Sequence, residues 1–180
     1  MPTIDLPVQA DGFYQGWSSL SAGTDGYLMV DDSASTSHDS DSSYLILPRL
    51  TDPGGIISFP CFRIAEGLIP TSIVVTAVGQ IETGTPLLKF GFSDSSGNTG
   101  LSFGDLTPDA SYNLMQTTFN TNPIDLTAWT AASLAGLEVL VQMKAATVAT
   151  ARITLVSVQM TYTTRVSVGV THEPIVSQTS

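Results

Sequence analysis

The sequence predicts an all-β fold: a jelly-roll-like antiparallel β-sandwich with extended terminal arms and at most one short helix. Three observations lead there. Apolar residues recur at every second position, as half-buried strands require; Leu137, Val139, Val141 and Met143 alternate with Glu138, Leu140, Gln142 and Lys144. Clusters of Ser, Thr, Gly, Asp and Pro cut these runs at short intervals, the punctuation of a sandwich or barrel. No helical heptads occur, and no repeat of about 20–50 residues marks a solenoid or propeller. An apolar fraction of 42% and a mean hydropathy of +0.22 rule out general disorder.

The elements follow in order. Residues 1–12 contain Pro2, Pro7, Asp11 and Gly12 and read as an extended arm. Phe13, Tyr14 and Trp17 form an aromatic cluster expected to cover one end of the sandwich. Tyr27–Val30 is a short strand, and the Ser- and Asp-rich segment Asp31–Ser43 is a surface loop with nothing to bury. Tyr44–Pro48 restores the strand signal before the turn Asp52-Pro53-Gly54-Gly55. Strands are expected at Ile57–Ile64, at Ile73–Ile81 and around Leu88, Phe90 and Phe92, with a polar turn over Ser93–Gly100.

A less regular stretch runs to Pro123, and Asp125–Leu134 is the one helical candidate. The Leu137 strand comes next. Between Arg152 and Tyr162 the apolar face switches at Leu155 and Val156, which requires either two covered faces or a bulge. The sandwich domain is placed at 13–163. Residues 164–180 are a last strand and a tail expected to pair along a sheet edge of a neighbouring subunit.

Charge narrows the function. Sixteen Asp and Glu against six Lys and Arg give a net charge of −10, which repels nucleic acid and anionic membranes. The cations Arg49, Arg63, Lys89, Lys144, Arg152 and Arg165 form no stripe. No run approaches the ~20 apolar residues of a membrane span, and no signal peptide is visible at Met1–Asp5. Cys61, the single cysteine, reads as a buried thiol in a strand and excludes an internal disulfide.

Few residues offer chemistry. Asp31, Asp32, Asp39 and Asp41 supply hard oxygens of the kind calcium takes, though not at EF-hand spacing. Asp94-Ser95-Ser96-Gly97-Asn98 is a weaker calcium turn, set against a solvated turn bonded to its own backbone. His38 and His172 lie far apart and cannot complete a zinc site or a serine triad with one cysteine. Glu66, Glu82, Glu138 and Glu173 show no glycosidase motif. The chain therefore reads as a non-enzyme with no cofactor beyond that candidate calcium. Tyr14, Trp17 and Tyr112 are the candidate sugar-stacking residues, whereas Trp129, beside Leu126 and Leu134, reads as closing the end of the core.

The segment Asp39-Ser40-Asp41-Ser42-Ser43-Tyr44-Leu45, with the following Pro-Gly-Gly turn and Ile/Phe strand, resembles the opening of small jelly-roll proteins from tailed-phage structural gene clusters. The run Leu126-Thr127-Ala128-Trp129-Thr130, then Leu134, Leu137-Glu138-Val139 and Ala151–Leu155 to Met160-Thr161-Tyr162, is similar to their second half. The resemblance covers about residues 27–163 and brings no catalytic residues.

It implies a non-enzymatic virion structural protein, a head decoration protein, fibre or spike component bound to capsid or neck proteins. Such a protein is made in the host cytoplasm and displayed on the virion surface, as a homo-oligomer with a trimer among the options. Ile4, Leu6 and Val8 in the first arm, and Val168, Val170, Ile175 and Val176 in the last, are the expected attachment residues. The alternative is a carbohydrate-binding module that recognises a host glycan as receptor.

Overall fold

Two antiparallel sheets face each other in the computed structural model, which describes residues 1–6, 8, 10–14, 16–17, 19–20, 30, 44–49, 55–60, 64–65, 67–102, 104–144 and 148–164. The strands are β1 (Thr3–Leu6), β2 (Ser19–Leu20), β3 (Leu45–Arg49), β4 (Ile56–Pro60), β5 (Leu68–Thr83), β6 (Leu87–Ser93), β7 (Thr99–Leu101), β8 (Asn113–Phe119), β9 (Glu138–Lys144) and β10 (Ala149–Thr164). One helix, α1, spans Ala131–Leu134. The larger sheet has the order β2-β3-β10-β5-β8, with β1 also on β10; the smaller is β4-β9-β6-β7. From β3 to β6 the chain changes sheet at every step, the sandwich topology that the alternation predicts.

β5 and β10, of 16 residues each, form the spine of the larger sheet. Their ladder runs from Thr150 opposite Thr83 to Thr164 opposite Leu68. The face switch expected near Leu155 is a bulge: Ile153 pairs with Gly79 and Leu155 with Val78, leaving Thr154 as the extra residue. Ala151 and Ile153 face the core before it, and Val156, Val158 and Met160 after it. Both Thr154 and Leu155 are buried as well.

The core lies between the sheets. Ile73, Val75 and Ala77 of β5 meet Leu88, Phe90 and Phe92 of β6 and Val139, Val141 and Met143 of β9, all inaccessible to water. Each buried large apolar side chain contributes roughly 1.5–3 kcal/mol relative to exposure. Trp129 closes one end: 3% exposed, it donates from Nε1 to the Phe119 carbonyl at 2.9 Å and packs edge-on against Phe92.

The expected helix is only one turn long. Leu126 sits at φ 61°, which no helix accommodates, and Asp125 accepts from the Thr127 amide and hydroxyl instead. Helix geometry starts after Thr130, whose hydroxyl accepts from the Ser133 amide while Ser133 Oγ accepts from the Thr130 amide. This reciprocal cap satisfies two amides that a helix start leaves open.

The first arm is corrected by the structure. Thr3–Leu6 pairs with Val158–Thr161 of β10, and Leu6 is buried in the chain's own core with Val8 packed against it. Gly12, Tyr14 and Gly16 then bond along β4, from the Gly12 amide to the Ser58 carbonyl at 2.8 Å, from the Ser58 amide to the Tyr14 carbonyl at 2.9 Å and from the Gly16 amide to the Ile56 carbonyl at 2.6 Å. Ser19 and Leu20 return to the larger sheet beside β3. The segment laces the two sheets together, so Leu6 and Val8 are withdrawn as attachment residues. Ile4 remains 39% exposed. Val168, Val170, Ile175 and Val176, the calcium candidates Asp31, Asp32, Asp39 and Asp41, and Cys61 all lie outside the described residues.

Candidate functional site

A cleft of about 380 Å³ opens where the Gly12–Gly16 segment passes the end of the smaller sheet. Phe13 forms one wall. The opposite wall is the β6–β7 turn, contributing Asp94, Ser95 and Ser96, and Gly136 and Glu138 line the start of β9.

Local bonds set each part. Glu138 is the first residue of β9, opposite Pro60 of β4 and Ser93 of β6, so its carboxylate stands beside both edge turns. Its Oε2 accepts from the Phe13 amide at 2.8 Å and from Ser58 Oγ at 2.5 Å. Ser58 Oγ in turn accepts from the Tyr14 amide at 2.9 Å. Residue 12 must be glycine for this to form: a Cβ there would collide with Ser58 Oγ, Glu138 Oε2 and the Ser58 backbone.

These bonds fix the Phe13 backbone while its ring stays 81% exposed. Tyr14 braces the ring edge-on, at 5.1 Å between centroids and 88° between planes. An exposed aromatic ring over a polar cleft is the arrangement that stacks on the apolar face of a sugar ring, with hydroxyls and carboxylates left to accept its O–H groups.

The facing turn is held by Asp94. Its Oδ1 accepts from the amides of Ser96 at 2.8 Å and Asn98 at 2.9 Å, and its Oδ2 from Asn98 Nδ2 at 2.8 Å. The Asn98 side chain, foremost, holds the Asp94 carboxyl below its ordinary value, with backbone amides adding to the effect. This is the solvated turn bonded to its own backbone, and its carboxylate is occupied by local donors. Among the described residues no three His, Cys, Asp or Glu side chains come together as a metal site.

The sugar-stacking candidates fall in different places. Tyr14 is half-buried beneath Phe13, and Trp17 is half-buried against the core. Tyr112 stands immediately before β8 of the larger sheet, where it bonds Arg152. The guanidinium of Arg152 sits 4.5 Å over the Tyr44 ring and pairs with Glu82, which raises its pKa further above an already basic value. That cluster pins β10 to β5 and to the residue before β3. Phe13 was read only as part of an end-covering cluster. The available signal was its position between Gly12 and Gly16, two glycines that let the chain press against β4.

A second cleft, of about 240 Å³, lies between the edge strands β7 and β8 and is lined by Leu101, Thr117, Thr118 and Leu126 among others. Among the described residues it presents no charged group and no exposed ring.

No protein-family model matches the chain, and no curated protein sequence matches it. Among solved structures, it is similar to the CBM22-1 xylan-binding domain of Xyn10C from Paenibacillus barcinonensis, at 11% identity and a TM-score of 0.42. That match covers 84% of this chain and 92% of the other. It is similar to a family 16 carbohydrate-binding module at 11% identity and a TM-score of 0.36, covering 65% and 76%. It is also similar to the enzymatically active domain of tailspike protein 4 from bacteriophage CBA120, at 15% identity and a TM-score of 0.39. There 67% of this chain is covered, but the chain spans only 16% of the tailspike. At these scores the likenesses bear on neither ligand nor mechanism. The all-β sandwich rests on the strand pairing described above, and the function is argued from the cleft.

Proposed function

We propose that this chain is a non-enzymatic glycan-binding module whose site is the Phe13 cleft. One observation carries the reading. A phenylalanine ring is held 81% exposed over a polar cleft by a backbone bonded to Glu138 and Ser58. A large ring fixed in water is unfavourable in isolation and becomes useful when it stacks on a ligand. The sugar's C–H face lies on the Phe13 ring. Ser95, Ser96 and the free oxygen of Glu138 take hydroxyl hydrogens.

Catalysis is not part of this reading. The two carboxylates lining the cleft, Asp94 and Glu138, each brace a loop through hydrogen bonds.

Attachment to a virion loses the support of Leu6 and Val8. The setting implied by the phage-like sequence pattern then becomes a particle-borne module that touches a glycan receptor.

Affinity electrophoresis of the wild type and of Phe13→Ala through gels containing neutral polysaccharides tests the proposal. The wild type is expected to be retarded by at least one polymer and the variant to migrate freely. Equal migration of both in every gel would remove the site.

A further inference from the structure

Resting on the glycan reading above, we infer that the Phe13 cleft selects its saccharide by charge: it takes amino sugars with a free ammonium group and turns away uronate- or sulfate-bearing chains. Asp94 and Glu138 both line the cleft, and among the described residues no Lys, Arg or His lines it. Glu138 places both of its structural bonds on Oε2, and no bond among the described residues reaches Oε1. The Phe13 ring adds the negative face of its quadrupole, which attracts a cation within about 6 Å of the centroid.

The lysines of this sheet do not offset the charge. In the β6–β9 ladder, Leu87 pairs with Lys144 at one end and Ser93 with Glu138 at the other. At a strand rise of about 3.3 Å per residue, Lys144 lies ~20 Å from Glu138, and Lys89 lies ~13 Å from Ser93. Both distances exceed the Debye length of about 8 Å at physiological salt. Both lysines also pair with Asp105, at 3.4 Å from Lys89 and 4.0 Å from Lys144. An ammonium-bearing sugar entering the cleft therefore meets two carboxylates and an aromatic face, with no competing cation among the described residues. A uronate meets repulsion, reinforced by the chain's net charge of −10.

Titration calorimetry at low ionic strength with tetramers of glucosamine, N-acetylglucosamine and galacturonate tests this. The glucosamine tetramer should bind tightest, by roughly two- to fivefold over its acetylated counterpart per exposed charge contact, and high salt should narrow the gap. Glu138→Gln should reduce the preference. Ser95→Lys, at an exposed turn position, should narrow it without relying on the Glu138 bonds. Equal binding of the glucosamine and N-acetylglucosamine tetramers, or tighter binding of galacturonate by the wild type, overturns charge selection and leaves the glycan reading standing. A glucosamine preference unchanged in Glu138→Gln also overturns it, because the whole-chain charge is then responsible. No binding of any tetramer overturns both.

Discussion

Gly12 is the residue on which the cleft depends, because Glu138 and Ser58 occupy the space where any side chain would go. Gly12→Ala should cost about 1–3 kcal/mol by overpacking. It should also push the 12–16 segment off β4 and release Phe13. A thermal melt read alongside the binding titration checks both effects, and an unchanged melt with unchanged binding would show that the contact is slack. Phe13→Ala should behave oppositely, with binding lost and melting temperature held, since the ring buries little. Trp129→Ala belongs to a third class. It removes a buried indole and leaves the Phe119 carbonyl without its donor, a loss of about 3–5 kcal/mol measurable by urea denaturation.

Titration supplies a residue-scale test. Asp94 and Asp125 are both held below the ordinary 3.8 by bonds that favour the charged form. A depressed folded pKa contributes stability that is present above the unfolded value and lost as pH falls through the folded one. The two turns should therefore loosen only below about pH 3.8, seen as faster amide exchange at Ser96, Asn98 and Thr127. Loosening already at pH 5 would contradict this assignment.

At the scale of elements, the N-terminal segment decides what a truncation does. Residues 3–6 bond β10, Gly12, Tyr14 and Gly16 bond β4, and Leu6 fills the core. Deleting residues 1–16 should therefore lower the melting temperature clearly and abolish glycan binding, rather than leave the domain unaffected as a docking arm would. An unshifted melt would return the segment to the role of an arm.

Legibility in the sequence followed burial. Strands β5, β6, β9 and β10 bury apolar side chains at alternate positions, so periodicity located them and marked the face switch near Leu155, with a bulge and two covered faces both open. β8 was missed and read as irregular. Met115 and Phe119 point inward while Leu114 is exposed, so the apolar residues of this edge strand do not keep to one face. β1 reads as an arm because the flanking Pro2 and Pro7 suit an extended segment, and a strand completed by distant residues 158–161 leaves no local mark. The cleft was half legible. Phe13 and the Asp94 turn are visible as motifs, but they come together with Glu138 only through the pairing of β4, β9 and β6.

For the whole molecule, a sandwich sewn at one end by its own N-terminal segment presents a rigid cleft at that end. A site on fixed strands and tight turns needs little ordering when a ligand arrives, which favours affinity from a small contact. Acidic charge surrounds the site and makes ionic strength a further control: binding of neutral sugars should be indifferent to salt, whereas that of charged sugars should not.

The most direct test of the Phe13 cleft is a ¹⁵N NMR titration with the tightest-binding oligosaccharide. The expected result is a contiguous set of shifted amides at Phe13, Ser95, Ser96, Gly136 and Glu138, with those of β8 unmoved. Shifts centred instead on Tyr112 and the larger sheet, or no shifts at saturating sugar, would contradict the assignment of this cleft as the binding site.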